Sequence, residues 1–241
     1  LTRGQLKGPF LLPGRRADLA GQLPAESFAT GSLRIADLGY FSLVEMAKLD
    51  QEGNFWLSRL RNDTLLATLD GKPLSLEELA FTGTKANHRR LELEVLLGEQ
   101  RLPARLFLER VPSVVAARRR AQVKNRGRKK GQTPSRKSLA LCEFTMLITN
   151  VPSTRLSFDE ALVLYAARWQ IELLFKLWKS QAKLGISRSQ KPWRILGEIY
   201  AKLLAVLVQH WVILLGCWNH PNRSLIKAAQ VIRDLVPLLA V

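Results

Sequence analysis

Leu164 to Gly185 reads LYAARWQIELLFKLWKSQAKLG. Its length and its continuous apolar and long-chain residues predict one helix, with Gly185 as the stop. At about 100° per residue, Tyr165, Arg168, Glu172, Lys176 and Lys179 fall within an arc of roughly 80°. One carboxylate therefore shares a stripe with three cations and a phenol. Leu164, Trp169, Ile171, Leu173, Leu174, Phe175, Leu177 and Trp178 occupy most of the remaining circumference. A surface helix carries a broad polar face. This one has a narrow face, which predicts burial on several sides and a single charged seam turned to a ligand.

The chain has 241 residues, a net charge of +17 and 47% hydrophobic residues. That apolar content can build a core and excludes wholesale disorder. The charge predicts a polyanionic partner, nucleic acid ahead of an anionic membrane. Cys142 and Cys217 have no metal-ligand spacing and read as buried free thiols of a reducing cytoplasm. The first residue is Leu1 and the last stretch is apolar, so a fragment of a longer protein is expected. Ile199 to Trp218 is the most apolar run, but Lys202, Gln209 and His210 interrupt it. A buried helix is the expectation there, ahead of a membrane span.

Outward from the central stretch, the pattern is mixed α/β. Leu1 to Thr30 reads as short strands and a loop. Ser32 to Leu38 is a strand ending at Asp37, with Gly39 just beyond. Ser42 and Glu45 form a capping box that opens a helix to about Leu49. Asn54 to Leu60 returns as a strand, so a βαβ unit and a mixed or parallel sheet are predicted. Asp70-Gly71 marks one hairpin, between 65–69 and 74–76. A second joins Leu91–Leu97 to Arg101–Glu109. Val114 to Val123 is a short basic helix, followed by a loop from Asn125 to Ser138. Leu141 to Val151 is a buried strand that resumes the main sheet. Ser157 and Glu160 form a second capping box, and two further helices cover 193–217 and 224–238.

Carboxylates at a strand end and on a packed helix suit hard divalent cations, which take a few oxygen ligands and keep waters. Two such ions can serve phosphodiester chemistry. Asp37 and Glu172 have that type and location. Ordinary readings compete, and spacing alone favours them. Asp37 is a turn residue before a glycine. Glu172 is an ion-pair partner of Arg168 or Lys176, four residues away on either side.

Tyr165, Arg168, Glu172 and Lys179 spell Y-x2-R-x3-E-x6-K. This resembles the signature of the IS-four (insertion sequence 4) family of DDE transposases. Trp169, Ile171, Phe175-Lys176 and Ser180 resemble it too, as do Thr149-Asn150-Val151-Pro152 and Asp37-Leu38-Gly39-Tyr40. The resemblance implies an α/β, RNase H-like mixed sheet flanked by helices, with a β-rich insertion before the helix that carries the catalytic Glu. The implied core is 1–61 and 141–185, the insertion 62–140, and 186–241 adds C-terminal helices packed on the core. Asp37 and Glu172 become the second and third catalytic acids, both binding Mg²⁺ or Mn²⁺. Tyr165, Arg168 and Lys179, with Lys176 beside them, would contact transposon-end phosphates.

The family's first Asp has no equivalent. Asp18 lies in the polar GRRADL segment, too near Asp37 for the first strand. The first strand and its acid are therefore expected before Leu1, and little or no strand cleavage by this chain alone.

Arg118 to Lys137 holds ten cations and no acid. A solvated loop explains such a run as well as a nucleic-acid contact does. Arg118, Arg119, Arg120, Lys129 and Lys130 are its candidate DNA contacts. The expected partners are double-stranded DNA, both transposon ends and target, and a second copy in a dimer or higher synaptic complex, with no membrane. The expected location is the bacterial cytoplasm, on the nucleoid when DNA-bound. The competing reading is a non-enzymatic DNA-binding protein or a transposase remnant. His88, His210 and His220 form no ligand set, and the Gly127–Gly131 region lacks phosphate-loop spacing.

Overall fold

Strands β1 (Leu33–Ala36) and β2 (Phe55–Arg59) lie parallel, joined by helix α1 (Leu43–Gln51). This is the expected βαβ unit, since parallel neighbours require a crossover. The Ser42 hydroxyl accepts the Glu45 N–H at 3.3 Å and caps α1. The computed structural model describes residues 29–79, 89–217 and 224–239. Nearly all of the first expected segment, with Asp18, lies outside those residues, as do His88 and His220.

Beyond β2 the sheet continues through β3 (Leu66–Ala67), β4 (Pro73–Leu74), β5 (Arg90–Leu97), β6 (Leu102–Arg110) and β7 (Phe144–Thr149). Its seven strands run in the order β1-β2-β7-β6-β5-β3-β4. The β1–β2 pair is parallel and all others are antiparallel. Both hairpins form where turn residues placed them. Gly71 and Gly98 adopt φ of +84° and +63°, a region that side chains disfavour. The strands of 62–110 are thus continuous with β7 and β2 in one sheet.

Strand β7 alternates in the way a two-sided sheet requires. Phe144, Met146 and Ile148 join Trp56, Leu106, Leu108, Met46 and Leu49 in one core. Leu147 joins Leu57, Phe107, Val151, Leu156 and Ala161 in the other. The first core packs against α1. The second packs against helix α4 (Phe158–Ala167), whose Leu162, Leu164 and Tyr165 lie on it. Ser157 and Glu160 make the full capping box, with Ser157 N–H donating to Glu160 Oε2 at 2.8 Å. The Ser157 N–H, then the Ser157 hydroxyl, both donating to Oε2, hold the Glu160 carboxyl below its ordinary range.

The chain forms two compact units, 1–166 and 167–241. The predicted single helix over Leu164–Gly185 is two helices. Helix α4 ends at Ala167, Arg168 is a turn, and helix α5 runs Trp169–Gln181. The break is a one-residue lapse, since Arg168 keeps helical angles of φ −52° and ψ −32°. Tyr165 and Leu164 pack in the first unit's core, Trp178 and Ala182 in the second's. The expected burial on several sides is also corrected. Trp169, Ile171 and Phe175 are exposed, and Trp178 is buried. The stop precedes Gly185: Ala182 caps α5 and Lys183 takes a positive φ of 48°.

The basic segment is also more helical than expected. Helix α2 spans Ser113–Lys129, well past Val123, and a short helix α3 covers Arg136–Ala140. Arg, Lys, Ala and Gln sustain a helix, and one interior glycine does not stop it. Gly127 instead allows the chain to fold back. A Cβ there would meet Gln132 O at 2.5 Å.

Helices α6 (Pro192–Cys217) and α7 (Leu225–Leu239) complete the second unit. Val206, Ile213, Ala229 and Trp178 form its core. The Gln209 amide donates to Ala229 O at 2.7 Å. The run from Ile199 departs from its expected burial, since Tyr200, Leu204, Trp211 and Leu215 are exposed. Helix α6 is long and apolar enough to cross a membrane. Charged residues nevertheless serve this unit. Glu198 accepts from Ser187 Oγ at 2.6 Å and pairs with Lys202 at 2.7 Å. Lys202 also donates to the carbonyls of Lys183 and Ile186, fixing the turn between α5 and α6.

The Lys202 ammonium, then the Ser187 hydroxyl, lower the Glu198 pKa to about 2. An unfolded glutamate titrates near 4.3. The folded group is depressed, so its stabilisation is complete above roughly pH 4.3 and is lost as pH falls toward the folded value. Hydrogen-exchange protection of amides 183–189 should fall across that window. Glu198→Gln should abolish the acid dependence. Protection that stays level in the wild type would rule the account out.

Candidate nucleic-acid and metal site

Asp37 directly follows β1, where the chain leaves the sheet. Its Oδ1 accepts the Gly39 N–H at 2.9 Å and caps the short 3-10 turn Leu38–Tyr40. The turn role foreseen from Asp-x-Gly is therefore present. It does not by itself exclude a second role, because an ionised carboxylate can accept several bonds at once.

Glu172 stands in the first turn of α5. Arg168 donates to its Oε1 at 2.7 Å, the ion pair that the four-residue spacing allowed. Glu172, Phe175, Lys176, Lys179 and Ser180 line one open recess. Helical spacing explains this, since residues three, four and seven apart share a face. Thus Arg168, Glu172, Lys176 and Lys179 stand together in the second unit. Asp37 and Tyr165 belong to the first.

The basic candidates divide. On α2, Ala116 is buried, and Arg119 and Arg120 are half-buried on the same side. Arg119 donates to Phe144 O at 2.9 Å and to Thr145 Oγ1 at 3.1 Å. Burial, aided by the nearby Arg59 cation, lowers its pKa. Arg120 pairs with Glu143 at 3.0 Å. Arg118, Lys129 and Lys130 are exposed. Cys142 is a buried free thiol, as expected, and burial raises its pKa.

Two polar clusters set the approach to α4, and sequence reasoning missed the role of both. At the end of the β2–β7 ladder, Thr149 Oγ1 donates to Trp56 O at 2.6 Å. Asn150 Oδ1 accepts the Trp56 N–H at 2.8 Å. Its Nδ2 donates to Asp50 Oδ1 at 2.7 Å and Asn54 O at 3.0 Å. Two side chains thus replace the ladder bonds the strand no longer supplies. The second cluster centres on buried Arg105 of β6. One guanidinium nitrogen donates to both Val151 O and Leu156 O at 2.8 Å. The others bind Glu92, and the group stacks on Phe107 at 4.8 Å.

The family described as Transposase DDE domain matches residues 10–208. The chain belongs to the DDE transposase domain family. The seven-stranded mixed sheet with helices against it is consistent with that family's RNase H-like fold. Among relatives, the transposase for insertion sequence element IS231F of Bacillus thuringiensis subsp. israelensis is 28% identical over 228 residues, covering 86% of this chain and 47% of its own. The IS231B transposase of Bacillus thuringiensis subsp. berliner is 28% identical over 262 aligned residues, covering 99% and 55%. The IS1151 transposase of Clostridium perfringens is 25% identical over 197 residues, covering 75% and 42%. The chain spans about half the length of these relatives.

DDE domains use divalent metals. The donors available here fit in type, being carboxylate oxygens at a strand end and a helix start. Among the described residues, no three His, Cys, Asp or Glu side chains cluster as a metal site.

Proposed function

We propose that this DDE domain is of the IS-four type and acts in transposition. Within a full-length transposase it would bind transposon ends, cleave a phosphodiester there with Mg²⁺ or Mn²⁺, and join the freed 3′ hydroxyl to target DNA, as a dimer or higher synaptic complex, whereas this chain by itself should cleave little or not at all. The observation that carries the reading is the shared face of Glu172, Lys176 and Lys179, next to the Arg168 ion pair, inside the family-matched segment. Asp37 and Glu172 would hold the cation. When bound, the cation supplies charge stabilisation at a phosphodiester and an activated oxygen nucleophile.

The chain's own cations do the positioning. Arg168 orients the Glu172 carboxylate through their ion pair, and a guanidinium fork also suits phosphate oxygens. Lys176 and Lys179, exposed on α5, supply further donors along the same face. Tyr165 would add a phenol to the strand contact. In this reading residues 62–140 interrupt a core made of 1–61 and 141–185, and the protein works on the nucleoid.

A second reading, a DNA-binding protein without catalysis, is favoured by one observation. Both acids already serve ordinary local contacts, a turn and an ion pair. Mn²⁺ binding separates the two readings. The wild-type chain should bind Mn²⁺ in calorimetry, and Asp37→Asn or Glu172→Gln should each weaken binding by roughly tenfold or more, since each removes an anionic ligand. Affinity for end-sequence DNA without metal should hold or rise in Glu172→Gln. If neither substitution changes Mn²⁺ affinity, the two acids do not share a cation and the binder reading stands.

A further inference from the structure

We infer that the outward face of helix α2 is a separate duplex-DNA contact, made to phosphates by Arg118, Lys124, Arg128 and Lys129 and not by Arg119 or Arg120. It rests on the DNA-acting role proposed above and extends it to a surface outside the signature helix.

The two sides of α2 differ in kind. At about 100° per residue, Ala116, Arg119, Arg120, Val123 and Gly127 share one face. That face is the buried or half-buried one. There, Arg119 tethers the helix to β7 and Arg120 to Glu143. Arg118, Asn125 and Lys129 lie on the opposite stripe, with Lys124 and Arg128 on one shoulder and Arg126 on the other. All six are exposed. None of these five cations makes an ion pair or a side-chain hydrogen bond among the described residues.

The ordinary explanation covers only part of this. Arg126, Arg128 and Lys129 lie in the last turn, where cations favour the helix dipole. Arg118 and Lys124 gain nothing from it. Like charges four apart, as in Lys124 and Arg128, oppose the helix by a few tenths of a kcal/mol. The helix also lacks a side-chain N-cap and any acid in its first turn. No acid occurs anywhere from Pro112 to Cys142. A self-repelling, uncapped helix held down by two inward arginines leaves its outer charge for an external polyanion. From Arg118 to Lys129 the helix rises roughly 16 Å, against one duplex charge per about 1.7 Å of axis. Arginine and lysine spread over three sides suit backbone phosphates more than base edges, which carry the sequence information.

The test uses the full 241-residue chain and a duplex of arbitrary sequence, of about one turn and a half to three turns, titrated across salt concentrations. The variant is R118Q/K124Q/R128Q/K129Q, because glutamine keeps helix propensity while removing charge. Every phosphate that is no longer neutralised should lower the slope of log K against log salt by about 0.9. Four such phosphates should shrink the affinity drop between about 50 and 200 mM salt by roughly a hundredfold. Unchanged helical circular dichroism verifies the fold. K176Q/K179Q measured in parallel should lower the slope independently. If the wild type binds and the α2 variant keeps its slope, this inference is wrong while the DNA-acting reading survives. If the wild type shows no salt-dependent binding, both fall.

Discussion

Replacing Arg105 with methionine should destabilise the first unit by about 3 kcal/mol, and Arg105→Lys by less. Methionine keeps the bulk of the chain within the core face but removes every donor. The two carbonyls that Arg105 binds, of Val151 and Leu156, are then deprived of charge-assisted bonds worth about 1.5–3 kcal/mol each before relaxation. The Glu92 pair adds little, because that carboxylate is 39% exposed and water screens it. The stacking on Phe107 disappears as well. Lysine restores a charge without the planar fork, so it recovers part of the stability. Denaturant unfolding gives the total. Exchange of amides 151–157 shows whether the weakening sits in the loop that leads into α4. A methionine variant within 1 kcal/mol of wild type would show that Arg105 is incidental to the fold.

That loop matters because α4 begins directly after it and carries Tyr165. Two further ties fix the same end. The Arg90 guanidinium bonds Asp159 at 2.8 Å and lies over the Phe158 ring at 5.2 Å. The Asp159 carboxylate raises the Arg90 pKa. Sheet, loop and helix start are thus joined by Arg105 from within and Arg90 from the surface, and helix α4 begins from a fixed base.

Local features of this arrangement were legible. Alternation and turn residues placed β1, β2 and both hairpins within a residue or two, because strand period and glycine conformation are local properties. Ser157 and Glu160 announced the start of α4 for the same reason. The break at Arg168 was not legible. The segment Ala166-Ala167-Arg168-Trp169 contains neither glycine nor proline, and Arg168 keeps helical backbone angles, so no local signal marks the lapse. Helix α2 outran its expected end because Gly127 read as a loop residue. Its role there depends on Gln132 folding back over it, an approach no spacing rule contains. Arg105 sits two residues before Phe107 on the same sheet face. A cation on that stripe was the available signal, but its carbonyl partners lie 46 and 51 residues away.

The candidate site divides along the same line. The Asp37 turn and the Arg168–Glu172 pair were both readable from spacing, and both are present. Their assignment as metal ligands came from resemblance and not from geometry. Asn150 shows the converse. Its motif is visible in the sequence, but its task follows only from β2 and β7 being neighbours.

Asn150 accordingly supports the last and most discriminating prediction. Only one orientation of its amide satisfies all three partners, with Oδ1 toward Trp56 N–H and Nδ2 toward Asp50 and Asn54. Asn150→Ala strands the Trp56 N–H in a strand whose side chain is 1% exposed. One unsatisfied buried donor costs about 1–3 kcal/mol. The total should be about 2 kcal/mol. Asn150→Asp keeps an acceptor for Trp56 but turns a donor into a carboxylate facing Asp50 Oδ1 and a carbonyl. At neutral pH it should therefore be at least as damaging as alanine, near 3 kcal/mol, because like charges at hydrogen-bond distance repel. On acidification one of the two carboxyls takes up a proton and can donate again, so the aspartate variant should regain stability between about pH 6 and 4, a window set by ordinary carboxyl titration with the pair's repulsion added. The alanine variant should show no such recovery. Trp56 is the first unit's tryptophan, and its amide proton in exchange or NMR reports the clamp directly. Equal, pH-independent destabilisation in both variants would mean that Asn150 fills space, and that the end of the β2–β7 ladder is held by Thr149 alone.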